Sequence, residues 1–433
     1  MQLKDKKVLV VGLGRSGVAA AKLLMEKEAR VSITDRLESQ KTRENAQELK
    51  KQNISEIEIG RHTEKMVLGQ DLVVSSPGVP LDSLPLVWAR NRGIPVIGEI
   101  ELAFCFCPAP VIAITGTNGK TTVTTLVGEI FRAAARKCVV CGNIGNPFTR
   151  EVRFISEDHV VVLEISSFQL ETIKKFRPKV AVILNVTDDH LDRHADFSQY
   201  LLAKCRIFEN QTQGDWAIFS EEDDRKFALS EKTKASVLYY SDLTRFSDQR
   251  TKNFNSNYLA ALTVSSIFDI PEEVSVNVCS SFKGIEHRLE RVAVIKDLTF
   301  INDSKATNVD SALWALSVLE RPIVLIAGGR DKKSNFALIR ERLKEKLKAM
   351  VLFGEAKTKI EQALGDLVHT QTAVDLEEAV NKAVSLADPG DYILLSPMCA
   401  SFDMFDDYEA RGKVFKQIVH DLAQKTKSKV QSL

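Results

Sequence analysis

Gly116-Thr117-Asn118-Gly119-Lys120-Thr121-Thr122 holds the residues with the plainest chemistry in this chain. An apolar run at 111–114 precedes it, and residues 123–131 carry apolar side chains at helical spacing after it. The stretch is therefore a strand-to-helix turn. Glycines there let backbone N–H groups converge on an anion, and the helix N-terminus adds a favourable partial charge. Lys120 would reach a terminal phosphate and the Thr121 hydroxyl a Mg2+ ion. The common template has a glycine five residues before the last one, where this chain has Ile114, so the loop is a shorter form. A plain glycine-containing βα turn is the alternative, but such a turn needs neither Lys120 nor Thr121.

Other groups stand where chemistry could use them. The stretch 159–167 reads as a buried strand that ends on an acid, Glu164, and two serines, and an acid there beside a phosphate loop is the usual position for a Mg2+ ligand. A further apolar run, 180–186, leads into Asp188-Asp189-His190-Leu191-Asp192-Arg193-His194, read either as a helix cap with solvated flanks or as a metal and substrate site. Lys204 lies on an amphipathic stretch, 200–208, and taken alone is a snorkelling surface lysine. Asn253-Phe254-Asn255-Ser256-Asn257 precedes an apolar helix, and helix capping accounts for it. Near the N-terminus, Gly12-Leu13-Gly14-Arg15-Ser16-Gly17 sits in a strand–helix–strand frame, with Asp35 about twenty residues on. NAD is the default ligand of that pattern, but a nucleotide-sugar diphosphate satisfies the same geometry. Ser76-Pro77-Gly78-Val79-Pro80 forms a second turn at a strand end.

The elements that must carry these groups alternate between strand and helix. With 433 residues, two or three domains are expected. The pattern divides into residues 1–97, 98–284 and 285–433. We expect an α/β protein of three domains: a Rossmann-like sheet, a central P-loop parallel sheet, and a Rossmann-like α/β domain at the C-terminus. Lys and Arg number 59 against 58 Asp and Glu, so no field for nucleic acid or an anionic membrane is present. No run is long and apolar enough to span a bilayer, and the first residues lack a signal-peptide pattern, which points to the cytoplasm. The seven cysteines include a C-x-C pair at Cys105 and Cys107 and a C-x-x-C pair at Cys138 and Cys141. Reduced thiols are expected, with zinc or redox chemistry as the alternative. The polar tail, 425–433, is expected to fray.

Taken together, these motifs resemble the Mur ligases and the related folylpolyglutamate synthetases. The resemblance rests on residues 116–122, 12–17, 76–80, 189–194, Asn302-Asp303-Ser304-Lys305-Ala306-Thr307-Asn308, and Ser396 to Phe405 followed by Arg411-Gly412. It runs the length of the chain, and the two C-terminal motifs resemble the D-glutamate-adding branch of the family. The resemblance implies an ATP-dependent amide ligase acting through an acyl phosphate on UDP-MurNAc-L-Ala and D-glutamate, with Mg2+ as two ions, as a monomer. It implies that Gly116, Thr117, Asn118, Gly119, Lys120, Thr121, Thr122, Asn257, Arg288, Asp303 and Lys305 bind ATP. It places Arg15, Ser16, Asp35, Arg36, Gly78 and Asn143 on the UDP substrate, and Thr307, Lys332, Ser401 and Tyr408 on D-glutamate. Thr121, Glu164, His190 and Lys204 become the metal set, with Lys204 as a carbamate formed from CO2, and Lys120, His190 and Lys204 become catalytic. The family pattern His-Asn-x-x-Asn is reduced here to its final Asn257. A nicotinamide-dependent oxidoreductase would leave the loop at 116–122 unexplained, and a catalytically dead nucleotide-binding module would leave the metal and phosphate residues unexplained.

Overall fold

The structure is a computed structural model and describes residues 1–54, 56–187, 193–194, 196–223 and 229–431, the side chains of Arg342 and 427–431 excepted. It falls into two compact units, Met1–Val186 with Ser198–Phe282 and Thr187–Phe197 with Lys283–Leu433. Three α/β sheets make up the chain, two in the first unit and one in the second.

The first sheet contains β1 (Lys7–Val11), β2 (Arg30–Asp35), β3 (Glu56–Ile59), β4 (Leu72–Ser75) and β5 (Val96–Gly98), in the order β3-β2-β1-β4-β5 and all parallel. The order reverses beside β1, and open sheets of this kind bind ligands at such a switch point, outside the carboxyl ends of the strands. Gly12 ends β1 with φ +96°, and the helix Arg15–Glu26 starts inside the glycine motif. A Cβ on Gly17 would lie 1.8 Å from the Gly12 carbonyl oxygen, so helix and strand can meet only if that residue is glycine. β3 reads Glu-Ile-Glu-Ile, a weak strand signal that becomes a strand because it can pair with the edge of β2.

The second sheet contains β6 (Val111–Thr115), β7 (Cys138–Gly142), β8 (Val160–Glu164), β9 (Val180–Ile183), β10 (Trp216–Phe219) and β11 (Ser236–Tyr239). Its order is β11-β10-β9-β6-β8-β7, again parallel throughout. β6 is central, buried along its whole length, and its neighbours β8 and β9 end on Glu164 and just before Asn185. Their apolar side chains pack with Val123, Leu126, Val127 and Ile130 of the helix Lys120–Ala133. That helix start is thus fixed from two sides by core burial.

A short helix, Glu99–Phe104, joins these two sheets, and its two buried glutamates lock it in place. Glu101 accepts the amides of Lys174, Lys175 and Phe176 at 2.8, 2.8 and 2.9 Å. Glu99 accepts the Thr149 amide and hydroxyl at 2.6 and 2.7 Å, and burial pushes its carboxyl upward. Three amides, that of Phe176 buried and the other two partly so, lose their acceptor if Glu101 is removed. Glu101→Ala is therefore expected to cost about 3 kcal/mol or more of unfolding free energy. Urea unfolding checks this, and a midpoint unchanged from wild type would contradict it.

The third sheet contains β12 (Glu290–Ile295), β13 (Leu298–Asn302), β14 (Ile323–Gly328), β15 (Leu347–Phe353), β16 (His369–Thr372) and β17 (Tyr392–Leu395), ordered β12-β13-β17-β14-β15-β16. It is mixed: β12 and β13 form an antiparallel hairpin and the other pairs are parallel. Lys296 and Asp297 turn the hairpin with φ of +49° and +61°, the left-handed pair that a two-residue turn requires. The tail differs from expectation. Instead of fraying at 425, the helix Tyr408–Gln431 continues through it, since no glycine or proline follows Gly412. All seven cysteines are free thiols, four of them buried.

Candidate active site

The loop at 116–122 joins β6 to the helix Lys120–Ala133, as its composition predicts. Gly119 is the helix N-cap at φ +85°, and a Cβ there would lie 2.3 Å from Asn257 Oδ1. Lys120 Nζ donates to the carbonyls of Gly116 at 2.8 Å and Thr117 at 2.7 Å. The loop is clamped from β9: Asn185 Oδ1 accepts the Asn118 amide at 2.8 Å, and Asn185 Nδ2 donates to the Asn118 carbonyl at 3.0 Å. The Tyr200 hydroxyl lies 3.2 Å from Thr117 Oγ1.

Lys204 departs from the surface lysine that its helix pattern alone implies. It is 1% exposed, and its Nζ donates to the Gly116 carbonyl at 2.9 Å above the Tyr200 ring. Two lysines therefore meet at one carbonyl of the phosphate loop. Tyr200, Ala203 and Lys204 share the buried face of the helix Phe197–Cys205, while Ser198, Gln199 and Leu202 are exposed, so Lys204 occupies a packed position of an amphipathic helix.

Glu164 ends β8, next to Ile114 of β6, and is 2% exposed. Its Oε1 accepts from Asn143 Nδ2 at 2.8 Å. Its Oε2 is buried and, among the described residues, has no hydrogen-bond partner. A buried carboxylate oxygen left in this way is costly unless a cation completes it. The hydroxyls of Thr115 and Thr122 are likewise buried without partners, and Thr121 is 4% exposed at the helix start. This oxygen-rich set suits a hard divalent cation. His190 lies outside the described residues. Asn255, not Asn257, caps the helix Ser256–Ile267, which leaves the Asn257 side chain at Gly119.

In the first sheet, a cavity of about 920 Å3 opens at the switch point. Arg15, Ser16, Asp35, Arg36, Gly78 and Asn143 all line it. Asn143 thus touches both this cavity and Glu164. Asp35 is occupied by the fold: Oδ2 accepts the Leu13 amide at 2.6 Å and Oδ1 the Leu37 amide at 2.7 Å. Its carboxylate holds the glycine turn against β2. Arg61 and His62, which the motif reading does not single out, also line the cavity.

The second unit gathers the remaining candidates at the ends of β13, β14 and β17. Asp303 follows β13 and is 3% exposed. It accepts from Ser396 Oγ at 2.8 Å and from the Leu289 amide at 3.2 Å. Burial raises its pKa to about 7, against the pull of the nearby Arg288 charge. Arg288 stacks on Trp314, and Lys305 Nζ donates to the Tyr408 hydroxyl at 2.8 Å. Ser401 is buried, whereas Thr307 and Lys332 are half-buried. An antiparallel bridge between Arg330 and Ala400 joins the loop of Lys332 to that of Ser401.

Arg411, which the motif reading includes without giving it a role, organises this region. Its side chain is fully buried. It donates to Ser304 Oγ at 2.9 Å, to the Ser304 carbonyl at 2.8 Å and to the Cys399 carbonyl at 3.2 Å. Burial lowers its pKa to about 10. One guanidinium fork thus ties the Asp303–Lys305 turn to the turn before Ser401, with Gly329 packed so closely that a Cβ would come within 3.2 Å of Arg411 Nη1.

Comparison with known proteins covers the same three segments. Residues 6–98 match a model described as the Mur ligase MurD-like N-terminal domain, residues 114–284 the Mur ligase middle domain, and residues 287–399 the Mur ligase glutamate ligase domain. The UDP-N-acetylmuramoylalanine--D-glutamate ligase of Koribacter versatilis is 41% identical, over 99% of this chain and all of that relative. The enzyme of the same name from Clostridioides difficile is 42% identical, over 98% of this chain and all of the relative. Two solved structures from Thermotoga maritima share the fold. These are a UDP-N-acetylmuramate-alanine ligase (TM-score 0.59, 17% identity, 96% of this chain and 99% of that one) and a MurF ligase in complex with ADP (TM-score 0.60, 14% identity, 98% and 97%).

Proposed function

The chain belongs to the Mur ligase family, and on that premise we propose that it joins D-glutamate to UDP-N-acetylmuramoyl-L-alanine with conversion of ATP to ADP and phosphate, a step in making peptidoglycan precursor. The observation that carries this reading is Glu164: its buried, unpartnered Oε2 stands beside the phosphate loop, and its Oε1 is tied through Asn143 to the first-sheet cavity. One carboxylate thereby links a nucleotide-sugar site to a phosphoryl-transfer site.

Free carboxylates do not form amides directly, because oxide is a poor leaving group. In the proposed reaction the alanyl carboxylate oxygen attacks the γ-phosphorus, the bridging oxygen leaves with ADP, and an acyl phosphate forms. The amine of D-glutamate adds to the acyl carbon. Phosphate departs from the tetrahedral intermediate and the nitrogen loses a proton. Lys120 and the amides of residues 117–121 orient and balance the γ-phosphate, with Asn257 at Gly119. Glu164 and Thr121 would hold one Mg2+, and His190 with carbamylated Lys204 a second; the metal supplies charge neutralisation on the transferring phosphoryl group. The carbamate would form when the Lys204 ammonium gives up one proton, the neutral Nζ adds to CO2, and a second proton leaves the nitrogen. Arg15, Ser16, Asp35, Arg36, Gly78 and Asn143 bind the UDP substrate in this reading. Arg288, Asp303 and Lys305 serve ATP, and Thr307, Lys332, Ser401 and Tyr408 serve D-glutamate. Residues 1–97, 98–284 and 285–433 are the corresponding domains.

Phosphate release from ATP should require UDP-MurNAc-L-Ala and D-glutamate together. Equal turnover with L-glutamate, or with a folate acceptor, would overturn the assignment. The reading includes a monomer in the cytoplasm; among the described residues no helix is long and apolar enough to cross a membrane. A stable dimer on sedimentation would overturn the monomer.

A further inference from the structure

A polar contact behind the phosphate loop is marked by no motif. Leu184, the residue after β9, backs the loop: its amide donates to the Thr115 carbonyl at 3.0 Å. A Cβ on Gly116 would lie 3.1 Å from Leu184 Cβ, and one on Gly119 would lie 3.1 Å from Leu184 Cδ1, so this side chain presses on both loop glycines. The next residue, Asn185, makes the two-way clamp on the Asn118 backbone. Where this pair sits therefore decides where the loop sits.

The pair is held in turn from the edge of the sheet. Tyr240 follows the edge strand β11, and its amide donates to the Phe219 carbonyl at the end of β10 at 3.1 Å. Its ring is 3% exposed and packs in the same core as Leu184 and Ile218. Its hydroxyl donates to the Leu184 carbonyl at 2.7 Å. A carbonyl carries no proton, so the direction of this bond is fixed. Burial pushes the hydroxyl up to about 12, and it keeps its proton across the neutral range. Phenylalanine would fill the same core space with no polar group to desolvate, so packing alone gives no reason for the oxygen.

We infer that Tyr240 is a positioning residue for nucleotide binding: through the Leu184 carbonyl it holds Asn185 against Asn118 and keeps the loop at 116–122 in its anion-binding shape. This rests on the reading of that loop as the ATP site. A loop ordered before its ligand arrives loses less freedom on binding, whereas a loosened one must be ordered at the expense of affinity.

The test is calorimetry on the full chain with ADP plus Mg2+ and, separately, UDP as probes. Wild type should bind both. Tyr240→Phe removes a single oxygen and should weaken ADP about tenfold, equivalent to one well-made hydrogen bond, with UDP within about twofold of wild type. A hydroxyl with a merely structural role would lower the urea midpoint and leave the ADP affinity of the folded protein unchanged. Asn185→Ala should weaken ADP by about tenfold or more, and the double variant should be no weaker than Asn185→Ala, because the two residues act on one clamp. Saturating UDP stabilises the folded chain by mass action, so the ADP titration is repeated in its presence should Tyr240→Phe be only partly folded. Unchanged ADP affinity in Tyr240→Phe would overturn the inference, as would losses that multiply in the double variant. If wild type itself bound no ADP, the reading of the loop as the ATP site would fall first, which separates the two failures.

Discussion

Lys120→Ala is expected to lower kcat/KM for ATP-dependent ligation by at least about 10²-fold, or roughly 3 kcal/mol of transition-state stabilisation. The side chain sits on the first residue of the loop helix, with its ammonium held at 2.8 and 2.7 Å on two loop carbonyls. The cation is therefore already in place before any phosphate arrives, and its charge is not spent on reorganisation. Phosphoryl transfer moves negative charge to the bridging oxygen, and a fixed cation matters most at that moment. The loss should fall on kcat more than on the KM for the UDP substrate, whose cavity lies on the first sheet. Lys120→Arg should recover little, because a planar fork does not reproduce a point charge on two converging carbonyls. Steady-state kinetics with varied ATP and varied UDP substrate checks both parts. Activity near wild type in Lys120→Ala would mean that the loop is only a structural turn.

Lys204→Ala should be as damaging to turnover, with a loss of about 10³-fold and UDP affinity within about twofold of wild type. Lys204 is 1% exposed and shares the Gly116 carbonyl with Lys120. Two ammonium groups on one carbonyl repel each other, and converting one to a carbamate removes that repulsion while supplying an anion for a cation. Wild-type protein equilibrated with ¹³C-bicarbonate should show a carbamate carbon signal that is absent from the variant. Unchanged catalysis, or the same signal in both proteins, would remove the carbamate role.

Local patterns made some of this site legible and hid the rest. The loop at 116–122 declares itself because strand, glycines, lysine and helix are contiguous. Glu164 is legible because a buried strand that ends on an acid has few other reasons to do so. The residues that complete the site answer to partners far along the chain. Asn185 meets Asn118 because β9 lies beside β6, and Tyr200 reaches Thr117 from the helix Phe197–Cys205. Lys204 looks amphipathic in sequence and is buried in the fold, since its covering surface comes from a loop nearly ninety positions earlier. Arg411 ties segments 12 and 107 positions away. The glycine motif at 12–17 does form the turn after β1, and the Asp35 that the motif points to both braces that turn and lines the cavity, a double duty that spacing alone does not reveal.

The lock between the first two sheets also sets a length. Glu99 and Glu101 fix the short helix between β5 and β6, and the cavity runs from the β3 edge to Asn143, which touches Glu164. The short helix therefore does more than connect two sheets: it holds the first-sheet cavity at a set distance from Glu164, through Asn143, so a loosened lock would shift the one against the other.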